Sequence, residues 1–268
     1  MKVIAILCIA MTLFTSTIFG ADKILKLERE TITPRQVNQS KNPDLLEFAA
    51  DNYASLISIE NAPDSPRFKV RIERPLFRDV PSEKDKKFHI EIDLSKDLLA
   101  KMAVDFDNKF PCFVITSQGF LPGEEVNLHV ECDGHKSAVL KFYPHPIEMK
   151  SDTDEANITV RLTSMVFSNT MYCFYFKDFL PDEEVKYAAE SCGEFLTNEL
   201  KVKQDLVFGL TCGVEGYDGG IETFKLYRTN GEVLEVAFPW GHHLEEYLGG
   251  DKKAIVTQTT MIKPRVLK

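Results

Sequence analysis

Two histidines and a glutamate near the C-terminus, His242, His243 and Glu246 in WGHHLEEYLGG, are by type the residues best suited to hold a metal. Imidazole and carboxylate are ordinary zinc ligands, and His242 and Glu246 stand four apart, the spacing of one helix face. The alternative is a short solvated helix after the last strand, ended by Gly249-Gly250. The acidic run DTDE at 152–155 begins like a calcium loop but lacks its glycine and distal glutamate. GVEGYDGG at 213–220 is glycine-rich, yet no helix follows to cradle a phosphate, so it reads as a turn. No GxSxG occurs and the serines are scattered, so no catalytic residue and no cofactor is assigned. Trp240, the only tryptophan, reads as closing a core edge, with sugar binding as the alternative.

The elements that must position these residues are written in composition and pattern. With 44% hydrophobic and 27% charged residues, and only 14 glycines and 13 prolines in 268, the chain is neither collagen-like nor wholly disordered. A net charge of −9 argues against a nucleic-acid footprint. Lys2, the apolar run from Val3 to Phe14 and the small residues up to Gly20 form a secretory signal peptide, 1–20, cut after Gly20. The run is shorter than the ~20 apolar residues that span a bilayer. No later stretch approaches that length, so no transmembrane segment is expected after cleavage. The mature chain is then exported, periplasmic or secreted.

In GEEVNLHVEC the residues Val126, Leu128, Val130 and Cys132 alternate with Glu125, Asn127, His129 and Glu131, giving one apolar and one solvated face. His129 therefore reads as a surface histidine. FKVRIE and FHIEIDL are strand-like and joined by the charged SEKDKK, while Asn42, Pro43, Leu45, Ala49, Tyr53 and Leu56 have the spacing of a capped helix. GFLPGEEV at 119–126 returns as DFLPDEEV at 178–185, each copy after an apolar run. The physical reading is a strand, a proline corner and a strand with its acidic face to water. A repeated carboxylate site is the other reading, but adjacent glutamates on a strand point to opposite faces. Glu124–Glu125 and Glu183–Glu184 are therefore poor bidentate clusters.

GFLPGEEV resembles the GFxPGE corner of immunoglobulin-like (Ig-like) modules in exported bacterial proteins, and GVEGYDGGIETFKLYRTNGEVLEVAFPWG is similar to their closing hairpin. The resemblance covers about residues 110–241. It implies a β-sandwich used for binding, spacing or surface architecture, and it carries no catalytic residues. The expected fold is mainly β, with two tandem Ig-like β-sandwich units at 107–163 and 164–249. A small mixed α/β N-terminal region at 21–106 precedes them, and a basic tail at 250–268 follows. In the closing hairpin a three-residue loop, Thr229 to Gly231, sets Leu226 opposite Leu234, Phe224 opposite Val236 and Lys225 opposite Glu235. The tail carries five basic residues and one acid from Asp251 onward. It reads as an added strand, AIVTQTTMI, as a contact with an anionic envelope or partner, or as a disordered tail.

Five cysteines remain in the mature chain, and export permits disulfides. One cysteine lies before and one after each corner, so strands pairing antiparallel about the corner would bridge Cys112–Cys132 and Cys173–Cys192. A bridge from Cys212 to Cys132 or Cys173 is the competitor, and five buried thiols are the third possibility. The leading function is an exported, non-enzymatic binding or structural envelope protein whose partner is a protein or another envelope component. The alternative is an extracytoplasmic, metal-dependent hydrolase using His242, His243 and Glu246 or the unassigned 21–106 region.

Overall fold

A computed structural model of the chain describes residues 25–32, 54–77, 89–132, 135–166, 169–203, 205–248, 255–256 and 261–263. The signal segment and residues 42–53 of the expected helix lie outside these residues. Leu56, assigned to that helix, is instead in a strand. The first strands are β1 (Lys26–Thr31), β2 (Ala54–Glu60), β3 (Arg67–Glu73) and β4 (His89–Ser95). Helix α1 (Lys96–Asp105) follows, then β5 (Cys112–Thr116), β6 (Val126–Cys132) and β7 (His135–Phe142). Alternation predicts β3, β4 and β6 well: Phe68, Val70 and Ile72 point inward, and each pairs with an apolar residue of β4.

Two sheets, β1-β2-β5 and β4-β3-β6-β7, stack on a shared core that includes Ile57, Ile59, Phe113, Ile115, Val70 and Leu128. β2 and β5 do not alternate, because both of their faces are covered. Their outer face, with Leu56, Cys112 and Val114, packs on Met102 and Phe106 of the helix and its end. The helix begins where Ser95 Oγ accepts a hydrogen bond from the Leu98 amide, and it buries Leu99 and Met102. It was not legible beside the strand pattern of FHIEIDL.

The second half runs β8 (Ile147–Lys150), β9 (Asn157–Val166), β10 (Asn169–Lys177), β11 (Glu183–Ser191) and β12 (Glu194–Val202). It continues with β13 (Val207–Cys212), β14 (Gly219–Tyr227) and β15 (Val233–Gly241). Its sheets, β8-β9-β10-β13 and β12-β11-β14-β15, share an aromatic core. Tyr172 and Phe238 are 4.5 Å apart between ring centres, and Phe174 and Phe224 are 4.4 Å apart. The closing hairpin has the expected register, and Gly231 takes a φ of 87°. Val236, set opposite the buried Phe224, is only half-buried. A 3-10 turn (His242–Leu244), helix α2 (Glu245–Leu248), β16 (Ile255–Val256) and β17 (Met261–Lys263) complete the described chain. β17 lies parallel to β5, while the other strand pairs are antiparallel.

The expected boundaries are corrected by these pairings. β3 pairs with β6 across the proposed 106/107 division, and β9 runs through 163/164. The strands of 21–106 therefore belong to the first sheet pair and do not form a separate region. The two stacked pairs instead occupy about 25–142 and 147–241. They are related beyond the corner repeat: β5, β6 and β7 match β10, β11 and β12 in order and pairing. The hairpin β3–β4 takes the place that β14–β15 takes in the second pair, but precedes the corner in the chain instead of following it.

Candidate functional site

Each corner is built around a buried ion pair. Glu124 turns inward, and its carboxylate accepts from Arg74 Nε at 2.7 Å and a second guanidinium nitrogen at 2.5 Å. The Leu121 amide donates to the same carboxylate at 3.0 Å, and the guanidinium lies 5.1 Å from the Phe120 ring centre. Glu183 repeats this with Arg228, at 3.0 and 2.9 Å, and Phe179 sits 4.9 Å from the guanidinium. Arg74 immediately follows β3 and Arg228 follows β14. The registers place them opposite Val126 and Val185, equivalent positions of the repeat. The reading of both glutamate pairs as a solvated acidic face is therefore corrected. The first glutamate of each pair is buried, because a bidentate arginine compensates its desolvation.

Arg228 also accounts for the DTDE run. Its guanidinium binds both oxygens of Asp154 at 2.9 Å and Glu232 at 2.8 Å. Ser151 Oγ accepts from the amides of Thr153 and Asp154, and the Asp152 amide donates to Glu232 at 2.9 Å. The Arg228 hydrogen bonds hold the Asp154 carboxyl well below the usual carboxylate range. These carboxylates close a loop onto an arginine, and that is their observed role.

A third polar group lies where the two sheet pairs meet. Arg71 and Glu73 on β3 face His129 and Asn127 on β6, and Glu125 faces Arg161 on β9. Glu73 is 3.2 Å from both Arg71 and His129 Nε2, while Glu125 is 3.4 Å from Arg161 and accepts from the Tyr143 hydroxyl at 3.3 Å. Burial, reinforced by the Glu125 charge, pushes the Tyr143 phenol up to about 12. Four buried side-chain atoms here lack a hydrogen-bond partner: Arg71 Nε, Asn127 Oδ1, His129 Nε2 and Arg161 Nε. The His129 contact with Glu73 is close enough for an ion pair but is not aligned as a hydrogen bond. Buried polar atoms are normally paired with protein or water, and these four belong to side chains that are themselves only part-buried, with Arg71 38% and Arg161 35% exposed. Alternation within β6 assigns His129 to the solvated face, where it is instead largely buried, and carries no information about Arg161, which arrives from the second sheet pair.

The residues singled out for metal binding do not converge. The 3-10 turn shifts the spacing from four to three, so His242 faces Glu245 at 3.3 Å and His243 faces Glu246 at 3.5 Å. Among the described residues no three histidine, cysteine or acidic side chains stand close enough to hold a metal ion. The glycine-rich turn has a packing role. A Cβ on Gly219 would come within 2.7 Å of the His242 nitrogen, and one on Gly220 within 3.1 Å of Trp240 Nε1. Trp240 is fully buried and donates to Ser191 Oγ at 2.8 Å.

The disulfide expectation is corrected. Cys112, Cys132, Cys173, Cys192 and Cys212 are free thiols, since the strands flanking a corner enter different sheets and do not pair with each other. Cys112 lies opposite Ser58 on β2, and Cys132 opposite Phe68 on β3. Cys212 is buried, and burial pushes its thiol up, as it pushes Cys112 to about 12. Both are poor nucleophiles for that reason.

No protein-family model matches this chain, and no curated protein matches it. Among solved structures, the crystal structure of a Salmonella alpha-2-macroglobulin mutant matches 81% of this chain at 12% identity, with a TM-score of 0.21. The chain spans 17% of that protein's length. A score that low transfers neither fold nor function.

Proposed function

We propose that this is an exported, non-enzymatic binding protein of the cell envelope, built on two Ig-like sandwiches. Its contact surface is the polar cluster at their junction. The observation that carries the reading is the group of four unpartnered buried atoms on Arg71, Asn127, His129 and Arg161. Three nitrogens and one carbonyl oxygen, beside the carboxylates of Glu73 and Glu125, suit a partner group offering both acceptors and donors. The signal-like N-terminus and the resemblance of GFLPGEEV to Ig-like corners support export and a recognition role. No helix among the described residues is long and apolar enough to cross a membrane.

The test is capture from envelope extract by the immobilised mature chain, beside an Arg71→Ala/Arg161→Ala variant. A partner retained by the first and lost by the second, with both folded by circular dichroism, supports the reading. Equal capture by both removes the cluster from it. Stoichiometric zinc lost on His242→Ala, together with turnover in a hydrolase panel, would overturn it in favour of an enzyme.

A further inference from the structure

The two sheet pairs differ in one strand position. β10 is flanked by β9 and, on its other side, by β13, with six antiparallel residue pairs from Thr170↔Cys212 to Tyr175↔Val207. β5 holds the matching place before its own corner and is flanked by β2. The chain passes from β7 to β8 in four residues, and among the described residues the first sheet pair has no antiparallel counterpart of β13. The vacant side is met by the C-terminal tail, where β17 pairs in parallel over only Met261↔Val114 and Ile262↔Ile115.

We propose that the edge of β5 accepts an extended apolar segment of another polypeptide by strand addition, and that the tail is a resident that yields to it. Strand edges bind through backbone N–H and C=O groups, and side chains set selectivity. An antiparallel strand can follow β5 along Cys112–Thr116, as β13 follows β10, whereas the parallel tail pairs at two positions. The chemistry of the partner follows from burial. All five residues of β5 are buried, with Phe113 and Ile115 in the core between the sheets. Cys112 and Val114 lie under the helix on the opposite face. A strand beside β5 meets apolar surroundings on both faces, so it must be apolar over five or six consecutive residues. β13 in the second pair has an exposed face and alternates. In sequence the tail offers only two consecutive apolar residues at this point, Met261-Ile262, between Thr260 and Lys263.

The experiment compares the full mature chain with its Ile262→Pro variant, using a fluorescein-labelled synthetic peptide, KKTVIVIVKK, and an N-methylated copy of it. The peptide is expected to bind the variant at least tenfold more tightly than the unaltered chain. Bound peptide should slow amide exchange of Phe113–Thr116 at least tenfold, and the N-methylated copy should not bind. A chain ending at Leu248 serves for the same comparison if Ile262→Pro fails to fold. Equal affinity with and without a paired tail, or binding that leaves Phe113–Thr116 exchange unchanged, would overturn the proposal. Neither result depends on the polar cluster at the junction.

Discussion

The corner at Glu124 and the corner at Glu183 are assembled from the same phenylalanine, proline, glutamate and arginine, yet one is an internal joint and the other a surface tie. At the first, Phe120 belongs to the core of one sheet pair and Leu121 to the core of the other. The Gly123 amide donates to the His145 carbonyl at 2.8 Å, and its own carbonyl accepts from Leu162 on β9 at 2.9 Å. A Cβ there, at a φ of 76°, would come within 2.9 Å of the Val160 carbonyl oxygen. At the second corner Asp182 occupies the equivalent place with a φ of 59° and is exposed. Arg228 there also gathers the 151–156 loop and the closing hairpin. The variable residue of FLP-x-EEV is therefore set by what lies across from the corner. The buried glutamate is set by the corner itself.

Removing either arginine tests the shared part of the comparison and should have the largest effect. Arg74→Met or Arg228→Met leaves a buried carboxylate unpaired and should destabilise by about 3–5 kcal/mol in urea unfolding. The double change Arg228→Met/Glu183→Leu should recover most of the loss. Only Arg228→Met should accelerate amide exchange in 152–156, because only that arginine holds the loop. Acceleration there in Arg74→Met would mean that the corners are coupled through the joint.

Exchanging the variable residue tests the difference. Gly123→Asp adds left-handed strain and a backbone clash, so a loss of about 2–4 kcal/mol is expected. Asp182→Gly should change stability by less than about 1 kcal/mol. Similar losses at both sites would show that the first corner is not tightly enclosed.

Glu222 sharpens the comparison from another side, since it is a buried carboxyl whose titration is governed by burial alone. Burial pushes it up to about 7. The folded protein then retains a proton that the unfolded chain has already released between the ordinary glutamate value and about 7. Stability present below that window is lost as pH rises through it, by about 2–3 kcal/mol. Glu222→Gln should remove this loss, read as unfolding midpoints at pH 5 and pH 8. An unchanged difference between those midpoints would place the titration elsewhere. The smallest effect belongs to Lys225→Ala, which removes an exposed 3.1 Å pair with Glu235 and should leave the urea midpoint almost unchanged.

What the sequence determined by itself is local. Period-two alternation placed β3, β4, β6 and the closing hairpin, and cross-strand matching of Phe224, Leu226 and Lys225 fixed the hairpin register. These features depend on residues a few positions apart. The repeat marked both corners because the two chain segments adopt the same turn. Tertiary structure alone decided which strands share a sheet, since β3 and β6 are separated in the chain by a helix and two strands yet lie side by side. That decision carried the rest. It sent the strands before and after each corner, with their cysteines, into different sheets, covered both faces of β5 so that its residues show no alternation, and brought Arg74 to Glu124. It also carried Arg161 to the polar face of β6. Alternation tells a side chain which way to point, but the partner waiting there comes from another part of the chain, and no local pattern encodes it.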